Sequence, residues 1–152
     1  PVSLVLTRQK LPVLDRTRYG DPRGVAKGAY IVADAENPEV ILIGTGSELH
    51  LALEAWKELE AEGIPARVVS MPSWRLFEHQ SEAYREEILP SSIEARVAVE
   101  AGASFGWERY VGPRGKVIAI DRFGASAPYE DNFERFGFTT EAVLEAVEDV
   151  RG

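Results

Sequence analysis

Two carboxylates stand at the ends of apolar runs. Glu100 closes Arg96-Val97-Ala98-Val99, and Asp121 closes Lys116-Val117-Ile118-Ala119-Ile120. If those runs are neighbouring strands, the pair has the makings of a general acid and base, mutual repulsion raising one pKa. The same carboxylates would equally accept hydrogen bonds from loop N–H groups or pair with Arg109 or Arg122. That structural role is the favoured reading. His50 and His79 are the only histidines, and neither stands at metal-ligand spacing from another His or a carboxylate. A zinc site takes three or four such ligands, so no metal ligand is assigned. With no cysteine and no base beside a serine, nucleophilic catalysis finds no support either.

Gly44-Thr45-Gly46-Ser47-Glu48-Leu49 begins like a dinucleotide-binding loop and then departs from it. Leu49 stands where the third glycine belongs, and the following run, Arg67 to Met71, leads into Pro72 rather than an acidic residue. A nucleophile elbow would need glycine two residues after Ser47. What survives is a helix N-terminus at Gly46 and Ser47, whose free N–H groups suit an anion. A tight strand-to-helix turn capped by its own side chains is the plainer alternative. Thr45 and Glu48 fit a capping box, with Ser47 as a competing N-cap.

These residues sit in an acidic chain. Asp and Glu number 25 against 17 Lys and Arg, for a net charge of −8. Nucleic acid is a poor partner for such a surface, because phosphate neutralisation supplies most of that affinity. No apolar run approaches the roughly 18 residues of a membrane helix, and no basic-then-apolar leader opens the chain. The lack of cysteine suits a reducing, cytoplasmic compartment. At 152 residues and 45% hydrophobic content, one globular domain is expected.

The elements that must position these groups alternate. Val2 to Leu6 reads as a strand at the very start, and residues 15–28, charged and rich in Gly and Pro, read as a linker. Ala29–Ala33 is a short strand. Val40–Ile43 is a solid apolar run, as expected of a strand covered on both faces. A helix over 47–62 follows, with Leu49, Ala52, Leu53, Trp56 and Leu59 on one face and Gly63 ending it. Then come strand Arg67–Met71, helix in two pieces over Trp74–Leu89, strand Arg96–Glu100, strand Lys116–Asp121, and a helix capped by Thr139 or Thr140 running to about Val150. Such alternation implies a parallel sheet with helices on both faces, and ligands then collect at the carboxyl ends of the strands.

Eight stretches, in order, resemble the transketolase family: LTRQKLP (6–12), GAYIVAD (28–34), ILIGTGSELHLA (41–52), RVVSMPSWRLFEHQ (67–80), YREEILP (84–90), VAVEAGASFGW (97–107), IDRFGASAP (120–128) and FGFTTEAV (136–143). The resemblance is to the C-terminal third of a much longer polypeptide, in keeping with Pro1 in place of Met. It implies that residues 1–14 end a middle, pyrimidine-binding domain, that 15–27 link, and that 28–152 form the C-terminal domain. The implied fold is a three-layer α/β/α sandwich whose five-stranded sheet is mostly parallel with one antiparallel strand. Ala29–Ala33 is the candidate for that strand, because the short turn after it cannot hold a parallel crossover.

The resemblance further implies that the whole enzyme moves a two-carbon ketol unit between sugar phosphates with thiamine diphosphate and Mg²⁺, as a homodimer. The cofactor and metal would be held outside this chain, which alone is expected to be inactive. Arg8 of the TRQ signature would hold the substrate phosphate, a task suited to a planar, permanently charged fork. Loops 102–107 and 123–128 would contact the other domains. Dihydroxyacetone synthase or another thiamine enzyme, and a free-standing anion-binding regulatory domain, are the alternatives.

Overall fold

A computed structural model describes residues 3–152. Five strands form one sheet in the order β1-β3-β2-β4-β5: β1 (Tyr30–Ala33), β2 (Val40–Gly44), β3 (Ala66–Ser70), β4 (Arg96–Val99) and β5 (Lys116–Ile118). All pairs are parallel except β1 with β3. The expected antiparallel strand is therefore β1, but its partner is not the next strand in sequence. The turn after β1 carries the chain past β3 to start β2, so β1 lies on the sheet's edge.

The period of two along β2 builds two cores. Val40 and Leu42 face one layer, where they meet α1 (Leu49–Ala61) and α6 (Thr140–Arg151). Ile41 and Ile43 face the other, against Phe77 of α2 (Trp74–Glu78), Ile88 of α3 (Glu82–Ile88) and Tyr110 of α4 (Glu108–Val111). All five residues of β2 are buried, each large apolar side chain contributing roughly 1.5–3 kcal/mol. Trp56, on the buried side of α1, satisfies its indole N–H on Ala66 O at 2.9 Å, so its polar edge costs nothing in the core. Gly63, at φ 76°, ends α1, and Ile64 N–H returns to Leu59 O at 2.8 Å.

Several local expectations change. Ser3–Leu6 forms no strand, and Leu4, Val5 and Leu6 are exposed; Val2 lies outside the described residues. A strand is made by its neighbours' hydrogen bonds, and this segment pairs with none of the five strands. β5 stops at Ile118 rather than Asp121. Helix α5 (Tyr129–Phe136) was not legible, because its sequence is dominated by charge with apolar residues only at Tyr129, Phe133 and Phe136. The run 15–28, read as a linker, packs on the domain. Leu14 and Tyr19 join the α1/α6 core, Pro22–Lys27 forms a 3₁₀ turn, and Gly20 N–H donates to Val32 O at 2.8 Å.

Candidate functional site

From β2 the chain winds through α1 to β3 on one side, then crosses back through α2 and α3 to β4 on the other. The direction reverses between β2 and β4, and the crevice beyond their carboxyl ends is where doubly wound sheets bind ligands. Here it is a cavity of about 580 Å³, lined by Thr45, Ser47 and Glu48 after β2, Glu100 and Ala101 after β4, and Met71, Pro72 and Trp74 after β3. Thr45 Oγ1 donates to Glu100 Oε2 at 2.7 Å, joining the two strand ends across the switch point.

That bond also explains why the capping box fails. Thr45 stands at the N-cap with extended backbone, but its hydroxyl is given to Glu100, 55 residues away, and caps nothing. Ser47 does not cap either; its hydroxyl donates to the carboxylate of Glu48. Helix α1 begins only after a 3₁₀ turn over Gly46–Glu48, and Glu48 itself is 5% exposed. Burial pushes the Glu100 carboxyl above its ordinary range; the Thr45 hydroxyl opposes this and Glu48 adds to it. An anion at Gly46 and Ser47 would thus face two carboxylates, one of them already short of solvent.

Glu100 and Asp121 are not brought together as an acid–base pair. Asp121 is exposed and accepts Ser104 N–H at 2.9 Å and Ser104 Oγ at 2.7 Å, which holds its carboxyl below the usual range. It is a loop acceptor, the structural role expected for it. The arginines offered as its partners turn to rings instead: Arg122 lies 4.6 Å from the Phe136 centroid, Arg109 6.0 Å from that of Tyr110. His50 lies beside Ser47, its Nδ1 against Ser47 O. His79 caps the end of α2, with Nδ1 2.6 Å from Arg75 O. Among the described residues no group of three His, Asp or Glu converges as metal ligands.

The arm that carries Arg8, though not Arg8 itself, reaches the Gly46–Ser47 turn. Thr7 and Gln9, on either side of Arg8, line the switch crevice with Gly46 and Ser47. Leu11, Pro12 and Leu14 line a smaller cavity on the other flank of the same turn, with Leu49, His50 and Leu53. The arm therefore straddles the Gly46–Ser47 turn, while Arg8 is exposed. Sequence reasoning missed Glu48 as a buried group. Its only trace there is an acidic residue inside an otherwise small, polar turn.

Comparison with known proteins gives this geometry a family. Residues 28–139 match the model of the transketolase-like TK C-terminal domain. The chain is 54% identical over 155 aligned residues to transketolase 7 of Craterostigma plantagineum and 55% identical over 148 to a transketolase of Staphylococcus aureus, strain MW2. These matches cover 99% and 97% of this chain but 22% of each relative, so the chain spans about a fifth of their length. A Pichia stipitis transketolase, solved in complex with sedoheptulose-7-phosphate, superposes with a TM-score of 0.83 at 36% identity, over 95% of this chain and 20% of that one. Family model, sequence identity and superposition agree: the chain belongs to the transketolase family, as its C-terminal domain.

Proposed function

We propose that this chain is the C-terminal domain of a thiamine-diphosphate-dependent transketolase that moves a two-carbon ketol unit from a ketose phosphate to an aldose phosphate. The observation that carries the reading is the seating of the TRQKLP arm over the strand-end turn with Arg8 left exposed. An exposed guanidinium on an arm beside a crevice suits a terminal phosphate. A related transketolase has been solved with a sugar phosphate bound, which favours the same substrate class. Gly46 and Ser47 enter this reading as the seat of the arm.

Thiamine diphosphate would supply the carbanion chemistry, with Mg²⁺ on its diphosphate. The described residues offer no converging ligand set for that metal, so no step is routed through this chain's side chains. Its tasks are to support a homodimeric, cytoplasmic enzyme and to present Arg8. The paired loops bearing Phe105 and Phe123, 88% and 99% exposed, are the surface proposed to meet the remaining domains.

Complementation tests the assembly role. Residues 15–152 are mixed with the upstream domains of a transketolase, which carry their own TRQ segment, together with thiamine diphosphate and Mg²⁺. Ketol transfer that appears only in the mixture supports the reading. Full activity of the upstream domains alone would remove it.

A further inference from the structure

The side chain of Gln9 departs from its neighbours. Its Oε1 is completely covered and finds no donor among the described residues, although buried polar atoms are as a rule paired. The residues beside it explain how it came there. Gln9 N–H donates to Thr7 Oγ1 at 3.1 Å, a local turn about Arg8. Thr7 and Gln9 both line the switch crevice, whereas Arg8 is exposed. The two flanking residues grip the crevice, and Arg8 stands outside it.

We infer that Gln9 is a positioning residue for Arg8: its amide, wedged into the crevice between β2 and β4, fixes the arm and so the reach of the guanidinium toward a substrate phosphate. The inference rests on the reading of Arg8 proposed above. Residue type supports it. The crevice already holds Glu48 and Glu100, so a neutral side chain with two N–H donors fits where a third carboxylate would be repelled. Leu11, Pro12 and Leu14 secure the arm on the turn's other flank, leaving Gln9 as the covered side chain beside Arg8.

The test uses a full-length transketolase carrying this domain, with thiamine diphosphate and Mg²⁺ bound, and compares xylulose 5-phosphate with xylulose as donor. Arg8→Ala should raise KM for the phosphorylated donor far more than for the other. Gln9→Ala should move the same preference in the same direction by about 3- to 10-fold, with kcat little changed. Gln9→Glu should lose more of the preference than Gln9→Ala. If Arg8→Ala leaves the preference intact, the phosphate role fails. If Arg8→Ala loses it while both Gln9 variants keep the parental ratio, the positioning role alone fails. Equal losses with both donors, at an unchanged Tm, would also overturn it, because a merely structural residue would act in that way.

Discussion

Arg67 and Arg96 stand in register on either side of Ile41, one on β3 and one on β4. Both belong to the face of the sheet that carries α2, α3 and α4; Arg67 turns its guanidinium to the carbonyls that end α3, and Arg96 to those at and just beyond that end and to one of α4. Arg67 Nη1 donates to Glu87 O at 2.6 Å and to Ile88 O at 3.3 Å, while its Nε and Nη2 hold Asp34, each at 2.9 Å. Arg96 donates to Ile93 O and Pro90 O at 2.7 Å, Tyr110 O at 2.6 Å and Leu89 O at 3.3 Å. Arg67 thus takes up carbonyls that the end of α3 leaves unpaired, and Arg96 ties the segment after α3 to α4.

Arg96 has the greater effect of the two. Its hydrogen bonds go to four carbonyls and to no carboxylate, so removing it leaves acceptors with nothing in exchange. Arg96→Ala should cost roughly 2–4 kcal/mol in urea unfolding, and Arg96→Lys should recover less than half, since an ammonium cannot span four acceptors. A loss under about 0.5 kcal/mol, the level of an ordinary surface change, would refute the clamp.

Gly28 and Gly63 both have positive φ, 88° and 76°, but their surroundings differ. A Cβ on Gly28 would meet Phe77 N and Ser73 O, whereas one on Gly63 would meet nothing. Gly63→Ala should therefore cost about 1–2 kcal/mol, the backbone penalty alone. Gly28→Ala should cost more, because the contact between residue 28 and the start of α2, where Ser73 N–H donates to Gly28 O at 3.0 Å, must open. Paired thermal melts of the two variants test the order.

Acidity should act on Glu100 in the unusual direction for a carboxylate. Its pKa in the fold is raised, chiefly by burial, so the folded state holds this proton more tightly than the unfolded one. The ionised group therefore weakens the fold as pH rises from the ordinary value of 4.5 through the raised one. Glu100→Gln should stabilise the fold at pH 7.5, by less than about 1 kcal/mol for a half-buried group, and should have no effect near pH 4. A destabilising substitution at both pH values would contradict the assignment.

Asp121 should behave oppositely. Its pKa is depressed by the Ser104 N–H and then by the Ser104 hydroxyl. The tie between the Phe105 and Phe123 loops is therefore complete above the ordinary aspartate range and is lost as pH falls through the lowered value. Hydrogen exchange should show the Ser104 amide protected at pH 6 and unprotected in Asp121→Ala, with the sheet amides unchanged in both.

The parts legible in the sequence were those fixed by local pattern. The apolar run of β2, the stripe of α1 and the break at Pro72 each follow from residue types within a few positions. That one strand runs antiparallel came from the family resemblance, and the short turn after β1 picked it out. Its pairing with β3 was not legible, because no local rule says which strand the chain skips. The strand-end turn shows the limit most clearly. Thr45 and Glu48 have the spacing of a cap, yet a carboxylate 55 residues away takes the hydroxyl. The seating of the TRQKLP arm beside Gly46 and Ser47 is likewise a contact between distant segments. Family resemblance had identified both segments, but only coordinates join them.

The hydrogen bond from Gly20 to Val32 bears on solubility. Strand β1 is a sheet edge, and a bare edge is a template for pairing between molecules. The segment before residue 28 lies along it, with Gly20 placed so closely that a Cβ there would meet Ile31 O. The family pattern is recognised from residue 28 onward, but the backbone that lies against this edge comes earlier, at Gly20. A polypeptide that began at residue 28 would expose that edge.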